Sequence, residues 1–502
     1  MNDLSGALAH TSGLRESALM SLRRAPTLAV TTLLLACGDP GDGRTTSASG
    51  GSGIGGVSIT GQGSGASATD GASTGGTATE GSGTDGASGS SGGSSGASAS
   101  GGGASESSDS SDPSAGGGPK FDLGISPDGG DAGCQGFGDI DESYIWIPGT
   151  GDGTVAKIDT RTLVEVARYR IGPSGGTESA SRTAVSGDGR FVVVNSRGTG
   201  RSTSIATNQV DCIDQNGDGV ITTSQNAADI LPWGGDECVR WSVVHAGWGG
   251  AQQHGPRGIT WTLGAWDEGS CSFVNPKVWL GYMAGGGAAH LVRLDGLTGA
   301  LEETVIAPAW NGTGYAPYGG ALDPDQRPWF TGLRGELVRV NADQNPATLT
   351  RIQQPNNIQT YGMTVDPDGN PWMAGCNGPV SMYDVATNQW TSVAGTGACH
   401  RGMAIDHDFH VWVASNGPCG LVEIDGKSRT LVAQHQLAQC STPIGVSVDV
   451  DGYVWLVDQQ GWAWKIDPAN VPAMQQIPVS SSHYVYSDMT GGQLKSIIKP
   501  PG

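Results

Sequence analysis

Residues 361–375 read YGMTVDPDGNPWMAG. Small and apolar residues flank Asp-Pro-Asp-Gly-Asn, a pattern that predicts two short strands around a tight turn, with Trp372 on the second strand. The phrase returns as LDPDQRPWFTG around Trp329, IDHDFHVWVAS around Trp412 and VDVDGYVWLVD around Trp455. In each, an aspartate stands six residues before the tryptophan (Asp323, Asp366, Asp406, Asp449), and a glycine four before that (Gly319, Gly362, Gly402, Gly445). The tryptophans are 43, 40 and 43 residues apart. A strand-patterned period of this length is the signature of a repeat array.

Each unit closes on a further short strand: ELVRVN to Asn341, VSMYD to Asp384, LVEID to Asp425, AWKID to Asp467. With a weaker outer segment such as QWTSVAG, a unit holds strands a, b, c and d, the arithmetic of a propeller blade. Upstream, RGITWT, KVWLGY and HLVRLD form a looser blade, and TAVSGDGRFVVVNS carries an a–b hairpin with Val192 in the tryptophan place. The first unit, YIWIPGTGDGTVAKIDTRTLVEVARYRI, supplies b, c and d but lacks a. HYVYSDMTG at 483–491 is expected to fill that place as a C-terminal strand, closing a ring of seven blades and removing two open sheet edges. The expected fold is all-β, a seven-bladed β-propeller over residues 143–502, with a lead-in at 119–142.

The phrases YGMTVDPDGNPWMAG and RGMAIDHDFHVWVAS resemble the repeats of virginiamycin B lyase (streptogramin lyase) and, more loosely, NHL-type propellers, over roughly 143 to 490. The resemblance implies a seven-bladed propeller that binds ligands over its central channel. It also implies a histidine base, with a Glu-x-His loop and magnesium, for the lyase chemistry. The corresponding loops here read QHGPRG, YAPYG, IQTYG, GACHRG and CSTPIG, and none contains Glu-x-His. His254 and His400 are the weak acid–base candidates, and magnesium belongs only to that lyase-like alternative.

Loops d–a and b–c emerge on one face of a propeller. On that face the d–a side offers His254, Arg257, Tyr318, Tyr361, His400 and Arg401, and the b–c side Asn195, Arg197, Tyr282, Arg334, Asn377 and Asn416. Such residues rim a funnel for a peptide, glycan or small molecule, or serve blade-to-blade hydrogen bonding. His407 and His410, on the opposite face, read as a solvated turn rather than a metal cluster.

DCIDQNGDGVITTSQNAAD reproduces the first half of a calcium loop. Asp214, Asn216 and Asp218 sit at alternate positions, with Gly219 for the bend, but Gln225 stands where a bidentate acid belongs. Gln225 is the expected fourth ligand, an amide that binds calcium more weakly unless Asp229, Asp236 or Glu237 swings in; a plain Asx-rich turn is the alternative. The loop falls in an insertion at 209–238, and its expected role is structural.

The N-terminal stretch from Met20, a possible true start, runs from two arginines through an apolar core to Leu34-Leu35-Ala36-Cys37. This order reads as an export signal over 1–36. Leu-Leu-Ala-Cys resembles the lipobox of bacterial lipoproteins and implies lipidation at Cys37; a plain secretory signal is the alternative. Gly38 after the cysteine points to the outer membrane of a Gram-negative envelope. Residues 37–118 are nearly all Gly, Ser, Ala and Thr with scattered acids, a composition with no apolar surface to offset the entropy of ordering. As a flexible tether it reaches roughly 50 Å.

The eight remaining cysteines permit disulfides in an exported chain. Cys376–Cys399 and Cys419–Cys440 are expected to staple adjacent blades, Cys212–Cys238 to bracket the insertion, and Cys134–Cys271 follows by elimination; free thiols are the alternative. A net charge of −21 argues against a nucleic-acid partner. The sequence thus suggests an exported, lipid-anchored, monomeric binding propeller, with a streptogramin-lyase-like enzyme as the alternative.

Overall fold

The computed structural model describes residues 142–270, 272–480, 482–492 and 494. The expected signal, Cys37, the tether, most of the lead-in, and Cys134 and Cys271 lie outside the described residues. The chain forms six four-stranded antiparallel sheets and one three-stranded sheet, giving seven blades. Blades 4 to 7 open with inner strands Gly319–Leu322, Gly362–Val365, His400–Ile405 and Pro443–Val448. Blade 3 opens with Ile259–Thr262, blade 2 with Ala180–Val185, and successive inner strands lie side by side around one axis.

The repeated phrase has a physical cause. In blades 4 to 7 the buried aspartate accepts the indole N–H of the tryptophan six residues on: Trp329 to Asp323 at 3.1 Å, Trp372 to Asp366 at 2.9 Å, Trp412 to Asp406 at 2.7 Å and Trp455 to Asp449 at 2.8 Å. Its other oxygen takes the turn amides two and four residues on, as Asp449 does from Asp451 and Tyr453 at 3.0 and 2.9 Å. One carboxylate thus shapes the a–b turn and fixes the indole. The indole then packs between sheets, Trp412 of blade 6 lying with Val446, Val448 and Leu456 of blade 7. Burying such a ring is worth roughly 5 kcal/mol. The repeat glycine serves close approach: a Cβ on Gly402 would come 2.4 Å from the Ile444 carbonyl of the next blade.

Blades 1 to 3 depart from this scheme. In blade 2, Ser186 replaces the aspartate, and its turn is one residue longer, so that Val193, paired with Ala184, and not the expected Val192 holds the tryptophan place; Ser186 Oγ accepts the Phe191 amide at 3.0 Å. Blade 3 carries an extra hairpin, Ala265–Asp267 with Ser272–Val274, where blades 2 and 4 to 7 have a turn, a feature absent from the sequence reading.

Blade 1 has three strands, Tyr144–Gly149, Thr154–Asp159 and Glu165–Arg170, and the tail takes the inner place. It closes the ring, but as an irregular extended segment. Trp146 N donates to Met489 O and Thr150 N to Ser482 O, each at 2.9 Å. Between them stands Pro148, which has no N–H to continue a ladder; its carbonyl accepts from the His483 ring at 2.9 Å. Among the described residues, 483–488 make no backbone hydrogen bond to Tyr144–Gly149. The tail also bonds to Ser447 and Val448 of blade 7 and Thr183 of blade 2, tying three blades together.

Three expected disulfides form: Cys212–Cys238 across the insertion, and Cys376–Cys399 and Cys419–Cys440 between adjacent blades. Each blade-to-blade staple is worth up to ~3 kcal/mol through the denatured chain.

Candidate functional site

The tail brings Tyr484 and Tyr486 to the axis on the d–a and b–c side. There Tyr318 and Tyr361, each just before a repeat glycine, meet them: the Tyr318 and Tyr484 hydroxyls are hydrogen-bonded, and Tyr361 lies 5.5 Å from both Tyr318 and Tyr486 by ring centroids. Three guanidinium groups enter the same cluster. Arg197 sits 3.9 Å over the Tyr484 ring, Arg182 4.1 Å over Tyr486 and 5.1 Å from Tyr318, and Arg257 5.0 Å from Tyr318. All three arginines are 1 % exposed, so the upper channel holds a buried plug of cations and phenols.

Each residue has a local reason to be there. Arg257, Tyr318, Tyr361 and Arg401 all occupy the position before the repeat glycine, which faces the axis. Arg182 stands at the glycine position itself, four residues before Ser186, where the strand register to Phe191–Ser196 shifts between Ala180 and Thr183. Its side chain crosses the channel, and Nη2 donates to the carbonyls of Tyr318 at 3.2 Å and Tyr361 at 3.3 Å, from blades 4 and 5. Asn195 braces the group, donating to the Arg257 carbonyl at 3.2 Å and accepting from Ser202 at 2.6 Å.

The other expected funnel residues separate into rim and wall. Arg334 is half-buried, while Asn377 and Asn416 are exposed; Asn416 accepts from the Arg401 guanidinium, itself 5.8 Å from Tyr361. Tyr282 is turned into a separate stack with His245 at 5.1 Å and donates to the Ala246 carbonyl. His400 is fully buried, its Nε2 bonded to the Thr396 carbonyl at 3.0 Å, and burial lowers its pKa. His254 is half-buried, with Nδ1 3.2 Å from the Gly249 carbonyl. The sequence reading missed Arg182, Tyr484 and Tyr486. For Arg182, a charged residue in a glycine register was the available signal.

Toward the opposite face the channel narrows to a cavity of about 20 Å³ beside Val185, Trp261 and Asp488, room for about one water. Burial raises the Asp488 pKa there. On that face His407 pairs with Asp408 at 3.4 Å and His410 with Glu423 at 3.4 Å, two imidazoles on different carboxylates.

In the insertion, Asp214 accepts the Gly217 and Gly219 amides at 2.6 and 2.8 Å, and Asp218 N donates to Asn216 Oδ1 at 2.8 Å. Gln225 Nε2 donates to the Thr223 carbonyl. The three acids expected to stand in for it hold backbone amides: Asp229 that of Gln225, Asp236 those of Ser224 and Cys238, Glu237 those of Gln215, Asn216 and Thr222. Asp214, Asn216 and Asp218 thus fit half of a calcium ligand set, and the second half is engaged elsewhere.

No protein-family model matches the sequence, and no curated protein matches it. Among solved structures the chain is similar to a streptogramin B lyase at 16% identity, with 63% of this chain and 87% of that one covered and a TM-score of 0.45. It is similar to virginiamycin B lyase from Staphylococcus aureus at 14% identity, 61% and 85% coverage and a TM-score of 0.42. A third, apo AztD from Citrobacter koseri, shares 11% identity over 69% of this chain and 97% of that one, with a TM-score of 0.43.

Proposed function

We propose that the propeller is a non-catalytic recognition module, held outside the cell by a lipid on Cys37 and presenting the d–a and b–c face to a peptide, glycan or small molecule. The observation that supports this most is the axial plug. Its buried arginines and tyrosines form a fixed, polar floor, and the half-buried Arg334 and the exposed Asn377 and Asn416 belong to loops of the same face. A rigid floor beneath polar rim groups suits binding.

Two features weigh against acid–base chemistry. His400 lies behind the surface, bonded to a carbonyl, with its charged form disfavoured by burial. No loop at this face carries the Glu-x-His pair of the lyase family. The sequence Leu34-Leu35-Ala36-Cys37 supports the anchor, and calcium in the 214–225 loop is proposed as structural.

The test is retention on peptide and glycan arrays by the mature chain, its Arg334→Ala/Asn377→Ala/Asn416→Ala variant and His254→Ala. Recognition predicts at least a tenfold loss in the rim variant and retention in His254→Ala. Turnover of a cyclic ester that His254→Ala abolishes would instead establish the lyase-like reading.

A further inference from the structure

Resting on the recognition reading and narrowing its ligand, we infer that the d–a and b–c face binds a carboxylate-bearing glycan, laid across blades 4 to 6 with an acidic sugar at Arg334 and its hydroxyls on the surrounding amides.

The segments of this face over those blades are 308–318, 332–335, 354–361, 375–380, 393–399 and 416–418. They hold no Asp or Glu, and the half-buried Arg334 is their one charged side chain. In a chain of net charge −21 this is a segregation, because the a–b turns on the opposite face, 323–327, 366–370, 406–409 and 449–453, hold two aspartates each. A surface cleared of acids and carrying a guanidinium favours an anion over a cation. Nucleic acid, with a phosphate at every residue, needs a densely basic surface. One carboxylate among many hydroxyls needs one guanidinium.

The uncharged groups point the same way. Asn311, Asn357, Asn377 and Asn416 are exposed, and a side-chain amide both donates and accepts, as a sugar hydroxyl does. The aliphatic side chains Leu333, Ile358, Val380 and Val393 are buried, which leaves little on these segments for the apolar anchors of a peptide. The segments also form one arc. Thr360 N donates to Leu333 O at 2.9 Å, Tyr361 N to Ala374 O at 2.7 Å, His400 N to Gly375 O at 3.2 Å and Asn416 N to Cys399 O at 2.9 Å. The Asn311 amide lies against Gly335, 2.5 Å from where a Cβ would stand, and so beside Arg334. Both blade-to-blade disulfides fasten the arc, Cys376–Cys399 next to Asn377 and Cys419–Cys440 just beyond Asn416. Backbone held in place beforehand loses little entropy when an extended chain of sugars settles on it.

The experiment is retention of the mature chain on an array of uronate- and sialate-bearing oligosaccharides, their uncharged methyl esters and glutamate-rich peptides, repeated with Arg334→Ala and Arg334→Lys. The acidic glycans are expected to be retained. Esterifying the sugar and Arg334→Ala should each weaken retention about tenfold, and Arg334→Lys, which keeps the charge, should restore part of it. Melting temperatures matching the wild type separate these losses from a folding defect. Equal retention of acids and esters, unchanged retention by Arg334→Ala, or a preference for the peptides overturns the glycan assignment and leaves the recognition reading standing. Retention of nothing on the array overturns both.

Discussion

Blades 4 to 7 and blades 1 to 3 solve the same packing problem with different chemistry. In the later four, a buried aspartate satisfies its own turn and its own tryptophan, so the polar groups close on themselves. In the earlier three that clamp is missing, and the departures from the repeat supply what is unusual in the molecule. Arg182 replaces a glycine, an insertion carries the calcium-like loop, and the tail, bonded through His483 to the Pro148 carbonyl, brings Tyr484 and Tyr486 to the axial arginines. Regularity builds the ring, and irregularity equips its axis.

The sharpest way to break this contrast is to remove the tail. A chain ending at residue 480 loses buried Tyr484, Val485, Tyr486 and Met489 and the bonds that join blades 7, 1 and 2. At about 1.5–3 kcal/mol per buried side chain the expected loss is roughly 6–12 kcal/mol. Thermal melts should show a collapsed midpoint. An unchanged midpoint would mean that the ring does not depend on its closure.

A smaller effect separates the two sets of blades directly. Asp449→Ala strands the Trp455 indole and the Asp451 and Tyr453 amides, for a loss of about 3 kcal/mol in urea unfolding. Ser186→Ala, the equivalent in blade 2, strands the Phe191 amide and should cost about 1 kcal/mol. Equal losses would remove the distinction between clamped and unclamped blades.

The contrast also explains what the sequence could reveal. Asp323, Asp366, Asp406 and Asp449 were legible because hydrogen bonding imposes one spacing, so the fold could be read from four phrases. The face holding Arg197, Arg257, Tyr318 and Tyr361 was legible too, since loop order fixes it. Depth was not. Whether a loop residue lies on the rim, like Asn377, or in the floor, like Arg257, depends on the tail, and that follows from contacts between residues more than three hundred positions apart. Tyr484 and Tyr486 look like ordinary strand residues until the tail is placed against the axial arginines. Ser186, in place of the aspartate, and valine in place of the tryptophan hid the register of Arg182 by erasing both landmarks of the repeat, and the longer turn moved the second landmark to Val193.

Acid should act on the two regions in opposite directions. Burial pushes the Asp449 carboxyl up from 3.8 to about 6. The fold therefore favours its protonated form, and its stabilising contribution, full below pH 3.8, falls by up to ~3 kcal/mol as pH rises to 6. Burial pulls His245 in blade 2 down from 6.5 to about 4, its ring bonded to Ser202 and stacked on Tyr282. Its contribution is complete above pH 6.5 and is lost, by up to ~3 kcal/mol, as pH falls to 4. Across pH 4 to 6.5 the wild-type advantage over Asp449→Asn should shrink while that over His245→Gln grows. Two parallel profiles would show that these buried groups do not titrate differently in the two regions.

The smallest expected effect concerns the insertion. Asp214, Asn216 and Asp218 offer calcium only half a shell while Asp229, Asp236 and Glu237 hold backbone amides, so any site there is weak. At tenfold excess over Kd, calcium would add about 1.4 kcal/mol. This should register as a shift of 2–3 °C between calcium and chelator, lost in Asp214→Asn. Cys212–Cys238 already closes the same loop, so a larger shift would mean that the second half of the shell rearranges around the ion. No shift would leave the loop as a hydrogen-bonded turn, stabilised by the disulfide and its own carboxylates.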